Sequence, residues 1–251
     1  MKNIELLDGE RLDSVNEKIT LIQKKDGLTF GTDAFLLASF IKPQPRAHAV
    51  ELGTGTGIIS LLLAARDRFA KITALEIQED FALLAARNTE LNEISHKIRV
   101  LNMDVTRTSA ADIGGEADVV FTNPPYMKTD SGKRNDNDYK YIARHEVCGD
   151  INDFCASAFR LLKHGGKFYA VWRPDRLTDI ICAMRNNRIE PKIITLVHAD
   201  SDSIPSMALI LGIKGGASGM TLTAPLFLYD GKGRTQMSQK AKKIYDTMSF
   251  E

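Results

Sequence analysis

Between residues 47 and 213 the chain alternates short apolar runs with segments whose apolar residues recur every three to four positions. The runs span 47–52, 71–77, 98–103, 117–122 and 167–172. Each is short and bounded by residues that favour turns, so each predicts a buried strand. The intervening patterns predict helices over 58–65, 78–92, 151–163 and 175–187, with His164-Gly165-Gly166 stopping the third. Two further runs, 193–198 and 207–213, predict closing strands whose short link lets them pair antiparallel. Such alternation predicts an α/β fold, a mostly parallel sheet with helices on both faces.

The flanks follow other patterns. Residues 1–28 form a polar N-terminal extension, in which 18–23 predicts a strand and Asp26-Gly27 a hairpin turn. Thr32 or Asp33 can cap a helix that Pro43 and Pro45 end. The main domain is expected over 29–215 and a C-terminal tail over 216–251. The glycine-rich 215–219 reads as a flexible loop. Beyond it, Lys232, Arg234, Lys240, Lys242 and Lys243 read first as a solvated surface and second as a polyanion contact. Residues 127–149 hold no period. Their basic residues Lys128, Lys133, Arg134, Lys140 and Arg144 suit phosphate contact in a lid. Asp130, Asp136, Asp138 and Glu146 nearly offset that charge, so an ordinary loop with an Arg144–Glu146 ion pair stands beside it.

Composition narrows the class. With 43% hydrophobic and 26% charged residues and no apolar run of membrane-spanning length, a globular cytoplasmic protein is expected. The start carries no secretory apolar region. Cys148, Cys155 and Cys182 are odd in number and lack a C-x-x-C pair, and the five histidines are scattered, so no disulfide framework and no metal are expected. A net charge of +1 confines any nucleic-acid role to a local patch.

The chemistry gathers at strand ends. Asn123-Pro124-Pro125-Tyr126 follows the 117–122 run, and two prolines cannot continue a ladder. An amide, rigid carbonyls and an aromatic ring suit a planar group bearing an NH2; a simple proline turn is the plain alternative. Glu51-Leu52-Gly53-Thr54-Gly55-Thr56-Gly57 is a glycine turn between strand and helix, though neither G-x-G-x-x-G nor a P-loop. Glu76 ends the next strand at the spacing of a carboxylate that accepts from ribose hydroxyls. Asp104 closes the third strand, to face an adenine amino group or to form an Asx turn. Open α/β sheets bind ligands at these strand ends, so together the residues point to an adenosine-containing cofactor.

In this order the motifs resemble those of class I S-adenosylmethionine-dependent methyltransferases acting on amino nitrogens. N-P-P-Y occurs there in N6-adenine, N4-cytosine and release-factor glutamine methyltransferases. Phe30 to Leu37 resembles the segment that packs over the methionine half of the cofactor in the adenine enzymes, which adds Thr32 and Asp33 to the site. The short N-terminal extension and Ala143-Arg144-His145-Glu146 are similar to the bacterial tRNA1(Val) adenine-N6-methyltransferases.

The resemblance implies a Rossmann-like, seven-stranded sheet. S-adenosyl-L-methionine would be held by Glu51, Gly53, Thr54, Gly55 and Gly57, with its ribose on Glu76. Its adenine would lie near Asp104, and Ile77 and Val105 would pack on the ring or belong to the core. Asn123 and the Pro124 carbonyl would accept from the substrate amine while Tyr126 stacks on the base. A tRNA adenosine is the implied substrate, a release-factor glutamine the alternative, and a non-catalytic RNA-binding module the alternative of another class.

Overall fold

The computed structural model describes residues 5–25, 31–124, 150–231 and 233–250. In chain order the strands are β1 (Glu10–Asn16), β2 (Ile19–Lys24), β3 (Gln44–Leu52), β4 (Phe69–Glu76), β5 (Ile98–Asn102), β6 (Ala117–Thr122), β7 (Leu162–Trp172), β8 (Ile189–His198), β9 (Pro205–Lys214), β10 (Thr221–Leu222) and β11 (Leu226–Phe227). The helices are α1 (Thr32–Phe40), α2 (Ile58–Ala64), α3 (Glu79–Leu91), α4 (Ile151–Leu161), α5 (Leu177–Asn186) and α6 (Gln239–Thr247).

The seven strands expected from the sequence form the body of one sheet, in the order β8-β9-β7-β6-β3-β4-β5. β3 to β7 are parallel, and β9 runs antiparallel to both β7 and β8. Two-residue β10 and β11 add parallel pairs on the outer side of β8. Alternate residues of each central strand enter opposite layers, as a period of two requires. Ala49, Val119, Phe121, Tyr169 and Val171 pack with α1, α2 and α6. Val50, Leu52, Val120, Phe168 and Ala170 pack with α4 and α5. Helix α2 is buried along its whole length, which its Ile-Ile-Ser-Leu-Leu-Leu-Ala sequence demands because it has no polar face.

Two local expectations are corrected, the α1 cap and the glycine stop, and one strand, β1, was not anticipated. The partner of β2 is β1, which precedes it through a turn at Glu17-Lys18. β1 reads E-R-L-D-S-V-N, with no clean apolar alternation, since β1 is only half-buried. Asp26-Gly27 lies outside the described residues. Neither Thr32 nor Asp33 caps α1; Gly31 stands at that position, with no side-chain cap. The glycine pair after α4 is not a helix stop. The helix ends at Leu161, and β7 already begins at Leu162. Between Ala117↔Leu162 and Val119↔Lys167 the register slips, so His164 to Gly166 form a bulge within β7. A Cβ on Gly166 would stand 2.8 Å from the Lys163 carbonyl oxygen, and this close approach explains the glycine.

The tail is packed rather than loose. Leu226, Ala241, Ile244 and Met248 are buried in the layer that holds α1 and α2, while Lys240, Lys242 and Lys243 face solvent.

Candidate active site

The register sets the tips of the parallel strands side by side. Leu52 pairs with Leu75 on one side and with Thr122 on the other, and Glu76 pairs with Asn102. The glycine turn after β3, Glu76, Asp104 and Asn123 therefore share one edge of the sheet.

Gly53, Gly55 and Gly57 all have positive φ, at 71°, 56° and 86°. The turn folds over the end of β4: the amides of Gly53 and Thr54 both donate to the Leu75 carbonyl at 2.9 Å. Gly57 needs glycine for its backbone, since a left-handed φ disfavours a side chain; a Cβ there would touch Ala85 of α3 at 3.4 Å, an ordinary contact. Phe154 lies beside Gly53 on the other side. A reciprocal capping box, Asp150 with Asp153, fixes the start of the helix that delivers Phe154.

Two carboxylates brace the turn from different sides. Glu51 is completely buried and accepts from the Thr54 hydroxyl at 2.6 Å and from Ser60. Burial pushes its carboxyl up to about 7, with the nearby Glu76 adding to the rise and the two hydroxyls opposing it. Glu51 thus lies beneath the turn and shapes it. Glu76 accepts from the Gly55 amide at 2.8 Å through one oxygen and from the Gln78 amide at 3.0 Å through the other. A carboxylate at the end of this strand is the kind of group that accepts from ribose hydroxyls. Together with the open space above Gly55, this donor and acceptor set fits an adenosine cofactor.

Asp104 forms the Asx turn weighed from the sequence. Its Oδ1 accepts from the Thr106 amide at 2.8 Å and hydroxyl at 2.7 Å, and Arg107 stands 3.6 Å from its other oxygen. Val105 is buried in the layer with α4 and α5, while Ile77 is half-buried at the end of β4.

Asn123 is oriented by a contact that no local motif announces. Its Nδ2 donates to Asp33 Oδ2 at 3.0 Å, across 90 residues of sequence. A carboxylate only accepts, so this bond fixes which side of the amide faces Asp33 and turns Oδ1 the other way. Asp33 is held in turn by the Ala34 amide, 2.9 Å from Oδ1. Thr122 braces the tip by donating to the Leu52 carbonyl at 2.8 Å. Thr32 stands exposed at the start of α1, and Pro124 is buried. Tyr126 and the 127–149 segment lie outside the described residues.

Beside Asp33 opens a pocket of about 280 Å³ lined by Thr32, Asp33, Trp172, Arg173, Ser206 and Met207. Trp172 and Arg173 come from the end of β7, and Ser206 and Met207 from the start of β9, which the antiparallel pairing brings to the same edge. No local pattern marks these four, because strand order alone brings them to this edge. A larger depression, about 490 Å³, lies where β3, β6 and β7 begin, at the opposite edge of the sheet. Its chemistry is an Asp118–Lys163 ion pair, so size does not mark the site here.

The class follows from where these groups stand. A parallel sheet closed by an antiparallel strand, with its glycine turn and the Asn123 tip on one edge, is that of a Rossmann-like S-adenosylmethionine-dependent methyltransferase. More particularly, the chain belongs to the methyltransferase small domain family, whose model matches residues 24–181. The tRNA1(Val) (adenine(37)-N6)-methyltransferase of Phocaeicola vulgatus is 28% identical over 198 residues, covering 77% of this chain and 80% of that protein. The enzyme of the same name from Pedobacter heparinus is 25% identical over 208 residues, covering 82% and 85%. Among solved structures, a predicted O-methyltransferase of Agrobacterium tumefaciens superposes with a TM-score of 0.71 at 25% identity, covering 88% of this chain and 98% of that one. A Thermus thermophilus 16S rRNA N2 G1207 methyltransferase, solved with AdoMet and guanosine, shares the fold alone, with a TM-score of 0.57 at 17% identity over 84% and 52% of the two chains.

Proposed function

We propose that this methyltransferase modifies the exocyclic N6 amine of an adenosine in tRNA, in the anticodon loop and most specifically in tRNA1(Val). The observation that carries the reading is the Asp33–Asn123 hydrogen bond, which turns the Asn123 oxygen into a fixed acceptor. With the Pro124 carbonyl it makes two acceptors for the two hydrogens of an aromatic amine. The names of the relatives support adenine in tRNA over glutamine.

S-adenosylmethionine supplies the methyl group. Gly53, Thr54, Gly55 and Gly57 would hold its methionine end together with Thr32 and Asp33, Glu76 its ribose, and Asp104, Ile77 and Val105 its adenine. Glu51 supports the turn. Asn123 and Pro124 would hold and orient the substrate amine for transfer, and such placement supplies much of the acceleration. An amine that gains a methyl group would be strongly acidic and lose its proton to Asn123 or to water, so no dedicated base is required. Tyr126 stacks on the target base, and the pocket beside Asp33 receives its far edge. An unpaired loop base enters such a pocket at least cost. A tRNA substrate puts this work in the cytoplasm; among the described residues no helix is long and apolar enough to cross a membrane, and no cluster of three metal-ligating side chains occurs.

The test uses labelled cofactor and tRNA lacking the modification, followed by nucleoside analysis of the digested RNA. N6-methyladenosine is expected. Asn123→Ala should bind cofactor nearly as well as wild type and lose roughly a hundredfold or more in turnover, as when a positioned polar partner of the reacting group is removed. Turnover within a few-fold of wild type would remove Asn123 from the mechanism. Label on a release factor and none on RNA would select the glutamine reading.

A further inference from the structure

We propose that Tyr245, on the C-terminal helix α6, is a positioning residue for methyl transfer: it fixes the first turn of α1 so that Asp33 keeps the Asn123 amide facing the substrate. The inference rests on the methyl-transfer reading of Asn123 given above.

The first turn of α1 is weakly held by its own residues. Gly31 provides no side-chain cap. Asp33, which might have supplied one, is engaged by the Ala34 amide and by Asn123. Anchorage comes from outside. The Tyr245 ring stacks on Phe35 with centroids 4.4 Å apart and planes 7° from parallel. Burial raises the Tyr245 hydroxyl above the ordinary tyrosine value, and the nearby Thr32 side chain opposes that rise. Tyr245 therefore holds the first turn of α1 by ring contact with Phe35, two residues beyond Asp33.

A grip is useful only if its base is rigid, and α6 is fixed at both ends. Ser238 caps it by accepting from the Ala241 amide at 3.1 Å, and donates to the Phe227 carbonyl at 2.6 Å. At the far end, the buried Arg68 guanidinium donates to the Met248 carbonyl and, at 3.2 Å, to the Ile41 carbonyl, which ties the ends of α6 and α1 together. Phe250 meets Phe40 edge-on at 5.5 Å. Helix α6 lies along α1 as a splint, and Tyr245 is its contact with the catalytic end.

The experiment compares Tyr245→Leu, which removes the ring, with Tyr245→Phe, which keeps it. Turnover on unmodified tRNA, KM for S-adenosylmethionine, thermal midpoint and amide exchange at Ala34 are measured for each. Tyr245→Leu should lower kcat roughly fivefold, the scale of one aromatic pair, and speed exchange at Ala34 by a similar factor. Tyr245→Phe should keep both near wild type. Unchanged kcat and exchange in Tyr245→Leu would overturn the proposal. So would a lower thermal midpoint with normal turnover in that variant, which marks a purely structural residue. If wild type transfers no methyl group to RNA, the substrate reading fails by itself, and Ala34 exchange still decides whether Tyr245 fixes the turn.

Discussion

Glu51 combines complete burial with a bond to each of two hydroxyls, and burial prevails. Its carboxyl lies near 7 in the folded chain against an ordinary 4.5. Between those values the unfolded chain has released the proton and the folded chain keeps it, so this group makes stability fall as pH rises through the window. The full effect is on the order of 3 kcal/mol. Glu51→Gln keeps an acceptor for Thr54 and Ser60 without the charge. Its unfolding free energy relative to wild type should improve by on the order of 3 kcal/mol between about pH 5 and about pH 8. A difference that does not vary with pH would mean that Glu51 is already ionised in the folded protein. Glu76, on the neighbouring strand β4, accepts from the Gly55 and Gln78 amides.

Helix α3 holds the N-terminal hairpin by an unusual device. Asn88 and Asn92, one helical turn apart, each bond to both backbone groups of one β2 residue. Asn88 pairs with Ile22 at 2.7 and 3.1 Å, and Asn92 with Thr20 at 3.0 and 2.7 Å. The helix thus covers a strand edge with side-chain amides spaced to match alternate strand residues. Asn88 also donates to the Thr56 carbonyl at 2.9 Å, which joins hairpin, helix and glycine turn. Replacing both asparagines with alanine takes these partners from five backbone groups, four on β2 and the Thr56 carbonyl, each loss costing about 1–3 kcal/mol if the group stays dry. The β2 amides should then exchange and the hairpin be cleaved well before global unfolding; protection equal to wild type would show that the ladder with β1 suffices. Such contacts also mark what a sequence conceals. The central strands and their tips were legible because burial on both faces writes continuous apolar runs, and Pro124, two residues past the end of β6, marks where it stops. β1 was hidden because a half-exposed strand carries charge on both faces. The Asp33–Asn123 bond and the pocket residues Trp172, Arg173, Ser206 and Met207 were hidden because fold topology, not local spacing, brings them together.

Across the whole sheet, titration at the edge away from the site opposes that at the turn. His48 is buried on β3, with Nε2 3.0 Å from the Thr73 hydroxyl. Burial first, then the Lys71 charge, press its ring down to about 4 from an ordinary 6.5, against the pull of Asp118. As pH falls through that window the unfolded chain gains a proton that the folded chain refuses, so stability is lost toward acid. The windows of His48 and Glu51 overlap with opposite signs, and the two flatten the pH profile between them. His48→Gln should therefore gain on wild type by on the order of 3 kcal/mol as pH is lowered from about 7 to about 4, measured by denaturant unfolding. A constant difference would show that the ring protonates without resistance. Order of synthesis matters too. The glycine turn, Glu76 and Asn123 all leave the ribosome before α6, yet Arg68 and the α1 layer are completed only by α6. A nascent chain stalled ahead of that helix would carry every motif of the site with its α1 face uncovered, as a client for chaperones and proteases and not as an early, half-finished enzyme.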